Sequence, residues 1–211
     1  MADLEAKPPE LNSSDEHHLN SDEGKTGKRT TAGKNEAWEW VKALLVALGL
    51  VLIIRWLLFA PFIVDGPSMQ PNFVTGERLI VNKILYRFHP PERGEVIVFH
   101  APTGKDYIKR VIALPGETVK VEGDKVYING QVLDEPYIQD AVNEAKQRGK
   151  AYNNIQYAEH TVPQGALFAM GDNRPQSMDS RDPSVGFVPF EKVVGRADIV
   201  FWPFSHISFI H

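Results

Sequence analysis

Residues 1–36 carry almost no branched apolar side chains, residues 38–64 carry little else, and from 65 onward apolar positions return in short alternating runs. The first stretch is rich in Glu, Asp, Lys, Ser and Asn. It cannot bury enough apolar area to offset its ordering entropy, so residues 1–36 read as a disordered tail. The second stretch, "WEWVKALLVALGLVLIIRWLLFAPFIV", predicts a transmembrane helix over 37–61. From Trp40 to Phe59 such a helix extends about 30 Å, the thickness of a bilayer core. Trp38, Trp40 and Trp56 suit interfacial positions, and Lys42 and Arg55 can snorkel to headgroups.

A cleaved leader would have a shorter apolar run and a small-residue processing site. Here Leu58 stands two residues before Ala60, and Pro61 follows it directly, which makes a poor scissile bond. The run therefore reads as an uncleaved single anchor. Lys25, Lys28, Arg29, Lys34 and Lys42 crowd its N-terminal side, and no basic residue lies between Arg55 and Arg78. That asymmetry places the N-terminus in the cytoplasm and the bulk of the chain outside it, as a single-pass plasma-membrane protein.

The remainder, residues 62–211, reads as mostly β. "ERLIVNKI" (77–84), "GEVIVFHA" (94–101) and "DYIKRVIAL" (106–114) are short β-branched runs bounded by Gly and Pro. "ETVKVEGDKVYINGQVL" (117–133) alternates around Gly123-Asp124 and Asn129-Gly130, dipeptides that favour tight hairpins. "GALFAMGD" (165–172) and "VVGRADIVFWPF" (193–204) add strands, and the polar stretch 139–158 reads as a surface excursion or short helix. Strands at this spacing predict an antiparallel sheet system or open barrel.

Composition narrows the chemistry. The net charge of −4 offers no basic excess for nucleic acid, and the absence of cysteine excludes disulfides and thiolate metal sites. Zinc motifs of the H-E-x-x-H kind are absent too, so neither a metal nor a cofactor is expected.

Chemistry is suggested instead by "DGPSMQP" (65–71), which sets a lone serine between two prolines just past the apolar run. Ser68 is either part of a stiff exit turn or a nucleophile. The G-x-S-x-G elbow would need Gly at the position of Gln70, and S-x-x-K would need Lys at that of Pro71. A Ser-His-Asp triad stays open, with His89, His100, His160, His206 and His211 all in the β region. So does a lysine base: Lys109 sits inside the apolar run "YIKRVIAL", alternating on one face with Tyr107, Val111 and Ala113. There it either points to solvent or is desolvated, and desolvation would lower its pKa until a neutral amine could take a serine proton.

A third stretch, "GDNRPQSMDSR" (171–181), packs Asp172, Arg174, Asp179 and Arg181 with two serines. With "SMQP" (68–71) and "YIKRVIALPGE" (107–117) it resembles, in the right order and behind an anchoring helix, the motifs of the type I signal peptidases. These are membrane-bound serine proteases that remove signal peptides, and the resemblance covers roughly residues 38–205.

The resemblance implies the family's mostly β catalytic domain, with Ser68 as nucleophile and Lys109 as general base. Ser177 would hydrogen-bond Lys109, Asp172 would pair with Arg110, and Asp179 with Arg181. The oxyanion would be met by the backbone N–H of Ser68. Some relatives add a serine hydroxyl two residues before the nucleophile, where this chain has Gly66. Small apolar specificity pockets would form around Met69, Phe73, Tyr107 and Ile108, suiting Ala-x-Ala cleavage sites. The implied partners are preprotein signal peptides and the lipid bilayer, without nucleic acid and with no oligomeric state specified. The single anchor looks like the Gram-positive pattern.

Two other readings compete. A LexA-like Ser/Lys self-cleaving regulator would cut an Ala-Gly bond, and Ala32-Gly33 exists, but the expected orientation puts it across the membrane from Ser68. A non-catalytic anchored β module would leave Ser68 and Lys109 without a task.

Overall fold

A computed structural model describes residues 32–57 and 59–210, so the expectations for the tail before Ala32 and for the Arg55, Trp56 and His211 side chains lie outside the described residues. The described chain divides into two units between Leu44 and Leu45, within the first helix.

That helix, α1, runs Ala32–Leu57. From Glu36 to Ile54 it is long and apolar enough to cross a membrane, and no part of that stretch is buried by the protein. Its bounds differ from the expected 37–61. Residues 32–36 are helical, and 59–61 belong to a strand, β1 (Phe59–Ile63). "FAPFI" is as apolar as the helix before it, so composition hides the change, but Pro61 cannot continue a helix. It fits β1 because β1 is an edge strand of its sheet, where a missing N–H costs no ladder bond.

The remaining elements are β2 (Arg78–Asn82), β3 (Val96–His100), β4 (Asp106–Ala113), β5 (Thr118–Glu122), β6 (Lys125–Ile128), β7 (Gln131–Val132), α2 (Gln139–Gln147), β8 (Tyr157–Thr161), β9 (Ala166–Met170), β10 (Val188–Pro189), β11 (Val193–Trp202) and β12 (Ser208–Phe209). They form two antiparallel sheets. The larger has the order β1-β2-β11-β3-β4-β9-β10, with β12 beside β11, and the smaller has the order β7-β6-β5-β8. The mostly antiparallel β fold expected from the alternation is the fold observed. The Asn129-Gly130 turn joins β6 to β7 with both residues at positive φ, 50° and 77°, the backbone such two-residue hairpins demand.

The core explains why β4 can hold charged residues in place. Val96 and Val98 of β3 enter one apolar cluster, while Ile97 and Phe99 enter another on the opposite face. Both faces of the central sheet are therefore covered, and β9 is buried along its whole length between β4 and β10. Each buried aliphatic side chain contributes on the order of 1.5–3 kcal/mol, which offsets the cost of burying Lys109 and Arg110 in the middle of β4.

Candidate active site

Ser68 is carried by the loop between β1 and β2. The loop is closed at its base by Val64 N–H donating to Glu77 O at 2.8 Å and Gly76 N–H donating to Val64 O at 2.9 Å. Within it, Gln70 N–H donates to Pro67 O and Phe73 N–H to Met69 O, both at 3.0 Å. Met69 and Phe73 are buried in the core with Leu79 and Val98. The loop is thus stapled at its base and pinned by two apolar side chains, leaving Ser68 half-buried at its crest.

Lys109 approaches from β4 and is only 3% exposed. Its Nζ donates to Ser68 Oγ at 2.8 Å and to its neighbour's carbonyl, Ile108 O, at 2.8 Å. Burial pushes its pKa down to about 8, against the pull of the Asp179 and Asp172 carboxylates. With the proton gone, the same contact reverses, and the serine hydroxyl can donate to a neutral amine.

The loop 171–181 closes over both. Asn173 N–H donates to Ser68 O and its side-chain amide to Pro67 O, each at 3.0 Å, so Asn173 fixes the backbone on either side of the Pro67–Ser68 bond. Gly171 lies so close that a Cβ there would stand 2.4 Å from Ser68 O and 2.2 Å from Ser177 Oγ. Arg110, next to Lys109, donates to Asp172 through Nε at 3.0 Å and Nη2 at 2.8 Å. Asn72 Nδ2 donates to the same carboxylate at 2.8 Å, tying the serine loop to it. Arg181 makes a two-point pair with Asp179, whose carboxylate also accepts from Gly171 N–H at 2.9 Å. Burial raises the Asp179 pKa, but the Arg181 guanidinium outweighs it and holds the carboxyl below its usual range.

Two expected contacts take another form. Ser177 Oγ is buried and hydrogen-bonds no group among the described residues, while Lys109 Nζ donates to Ser68 and to its own strand. It lies near enough to Asp179 to lower that pKa slightly, without hydrogen-bond geometry. Met69 and Phe73, expected at the specificity pocket, sit beneath it instead. The cavity beside Ser68 and Lys109, about 270 Å³, is lined by Tyr107 and Ile108 together with Ile63, Leu79 and Val98, while Met69 and Phe73 are turned into the core.

Gly66 also lines that cavity, at φ +95°, a backbone that disfavours a serine at this position. The Ser68 N–H donates to no group among the described residues and is free to meet an incoming oxygen. Among the described residues no histidine takes Lys109's place: His89 and His160 contact backbone carbonyls, His100 contacts Asp106 and His206 contacts Glu77. No His/Asp/Glu group suited to a metal occurs among the described residues. Asn72, Gly171 and Asn173 are the residues that sequence reasoning passed over. The last two lay inside a quoted motif, whereas Asn72 carried no signal.

Known proteins align with this chain. The signal peptidase family, peptidase S26, matches residues 37–202. A signal peptidase I of Bacillus amyloliquefaciens is 43% identical over 171 residues, covering 81% of this chain and 88% of its own. Signal peptidase I T of Bacillus subtilis (strain 168) is 40% identical over 189 residues, covering 89% and 95%. A solved signal peptidase I from Enterococcus faecalis V583, 38% identical, covers 50% of this chain and 95% of its own with a TM-score of 0.41, and the fold described above stands on this chain's own strand pairings. The chain therefore belongs to the signal peptidase family, serine peptidases that remove signal peptides.

Proposed function

We propose that this chain cuts secreted preproteins after Ala-x-Ala sites, with Ser68 as nucleophile and Lys109 as general base, while α1 anchors it in the plasma membrane. The N-terminus lies in the cytoplasm and the β unit outside. The observation that carries the reading is the 2.8 Å contact between Lys109 Nζ and Ser68 Oγ, made by a lysine that burial inclines to neutrality.

Neutral Lys109 takes the hydroxyl proton as Ser68 Oγ attacks the scissile carbonyl carbon. The carbonyl electrons move to oxygen, which the Ser68 N–H meets. The C–N bond breaks as the Lys109 ammonium returns the proton to the leaving amine, and the signal peptide remains as an ester on Ser68. Water then attacks that ester, Lys109 takes a proton from the water and passes it to Oγ, and the signal peptide leaves as a carboxylate.

The Arg110–Asp172 pair holds the lysine strand to the 171–181 loop, and the Asp179–Arg181 pair closes that loop on itself. Ser177, whose hydroxyl is buried and otherwise unpartnered, is available to the amine during turnover. Tyr107 and Ile108 wall a cavity of about 270 Å³, which supports small apolar residues at the recognised positions. Ser68 is four residues past Val64 and close in sequence to the anchor, which concentrates the nucleophile where membrane-held signal peptides end.

The test is cleavage of a preprotein with an Ala-x-Ala site by detergent-solubilised protein, with N-terminal sequencing of the product. Wild type is expected to cut after the second Ala, while folded Ser68→Ala and Lys109→Ala do not. Equal cutting by all three contradicts the assignment.

A further inference from the structure

The segment Glu135–Tyr137 belongs to none of the three motif stretches, yet Arg110 and Arg174 from two of them, and Asn72 just past the third, lean on it. Glu135 receives Arg174 at two points, Nη2 to Oε1 at 2.5 Å and Nη1 to Oε2 at 3.1 Å. The Arg174 side chain is 0% exposed, and its Nε donates to Gly171 O at 3.0 Å. Gly171 is the residue packed against Ser68 and Ser177, and the neighbouring Asn173 N–H holds Ser68 O. A line of contacts thus runs from Glu135 through Arg174 to the nucleophile's own backbone.

A second line starts at Tyr137. Its hydroxyl donates to Glu135 Oε1 at 2.5 Å, and its ring lies 4.1 Å from the Arg110 guanidinium carbon, beside Lys109. Its carbonyl accepts from Asn72 Nδ2 at 3.0 Å, and that amide also reaches Asp172. Two loops and a strand, carrying Ser68, Ser177 and Lys109, therefore meet on one short segment anchored by one carboxylate.

We propose that Glu135 is a positioning residue for the peptidase reaction, holding the 171–177 loop against Ser68 through Arg174 and the Ser68 loop and the Lys109 strand together through Tyr137. It touches neither substrate nor reacting atoms, and the role rests on Ser68 and Lys109 being the reacting pair. The charge is required as well as the shape. A glutamine in the same place would turn one amide N–H₂ towards a guanidinium that can only donate, leaving a fully buried cation without its carboxylate. The loop would loosen to hydrate Arg174, shifting Gly171 and admitting water beside Lys109.

The test uses full-length, detergent-solubilised protein and an Ala-x-Ala preprotein. Glu135→Gln is expected to lower kcat by about 100-fold while KM stays within about threefold, the effect of misplacing groups by about an ångström. The alkaline-rising limb of its pH profile should also move to higher pH as Lys109 regains water, a change that loss of stability alone does not produce. A second variant, Glu135→Leu with Arg174→Met, removes the buried charge altogether. It is expected to regain stability but not kcat, because Gly171 O still lacks its donor, and recovery to wild-type kcat overturns the proposal. If Ser68→Ala is dead while Glu135→Gln keeps kcat within about threefold and an unmoved pH limb, the positioning role alone falls. If Ser68→Ala cuts like wild type, the reaction assignment falls and the positioning role with it.

Discussion

Lys109 Nζ stands 2.8 Å from Ser68 Oγ on a side chain that is 3% exposed, and burial lowers its pKa from 10.5 to about 8. The same burial that readies the amine for chemistry is a cost to the fold. Between pH 8 and 10.5 the unfolded chain binds more protons at this lysine than the folded one, so stability rises with pH across that window. Below it the penalty is complete, about 3 kcal/mol at about 1.4 kcal/mol per unit. Lys109→Met keeps the apolar stem and deletes the charge. It is expected to be inactive yet more stable than wild type at pH 7 by up to about 3 kcal/mol. The gain should vanish as the pH approaches 10.5, and urea unfolding at several pH values measures it.

Charge without basicity should not substitute. In Lys109→Arg the guanidinium stays protonated at any workable pH and cannot accept the Ser68 proton. Cleavage is expected to fall by about 10³-fold or more, the scale of a lost general base. Single-turnover rates measure this, and near-normal activity contradicts the role given to the amine.

Gly171 is constrained by contact. A methyl there would come within 2.4 Å of the Ser68 carbonyl oxygen and 2.2 Å of Ser177 Oγ. The serine hydroxyl can rotate away, but the backbone carbonyl cannot without carrying Ser68 with it. Gly171→Ala is expected to lower stability by about 1–3 kcal/mol, as overpacking does. It should also lower kcat far more than KM, which steady-state kinetics separates.

The Asp179–Arg181 pair sets an acid limit on the fold. Burial raises the Asp179 pKa and Arg181 more than reverses this, so the folded value lies below the unfolded one. A carboxylate of that kind contributes stability that is present above about pH 4 and lost as pH falls through its folded pKa. Asp179→Asn leaves the 0%-exposed Arg181 charge without its partner and is expected to cost about 3–5 kcal/mol at neutral pH. The gap from wild type should narrow below about pH 4, as unfolding curves over pH would record.

The motif residues and the strands that carry them were legible because each is marked locally. Lys109 and Arg110 interrupt an apolar strand, Asn129-Gly130 announces a hairpin, and the 171–181 cluster is dense in charge. β1 was hidden because "FAPFI" extends the apolar run of α1, and its pairing with β2 establishes it as a strand. Met69 and Phe73 were placed at the specificity pocket because they neighbour Ser68 in sequence. Their side chains point under the loop, a direction that spacing does not encode. Asn72 and Glu135 escaped for a related reason. Their partners, Asp172 and Arg174, lie 100 and 39 residues away, so only the folded chain brings them together.

The pH dependence of kcat/KM on an Ala-x-Ala preprotein tests the central claim most directly, because it reports the proton on the free enzyme's base. With Lys109 as that base, activity rises through a single deprotonation with an inflection near pH 8 and stays high above it. An inflection near the ordinary histidine value of about 6.5, or a rate that does not rise across this range, contradicts the Ser68–Lys109 assignment.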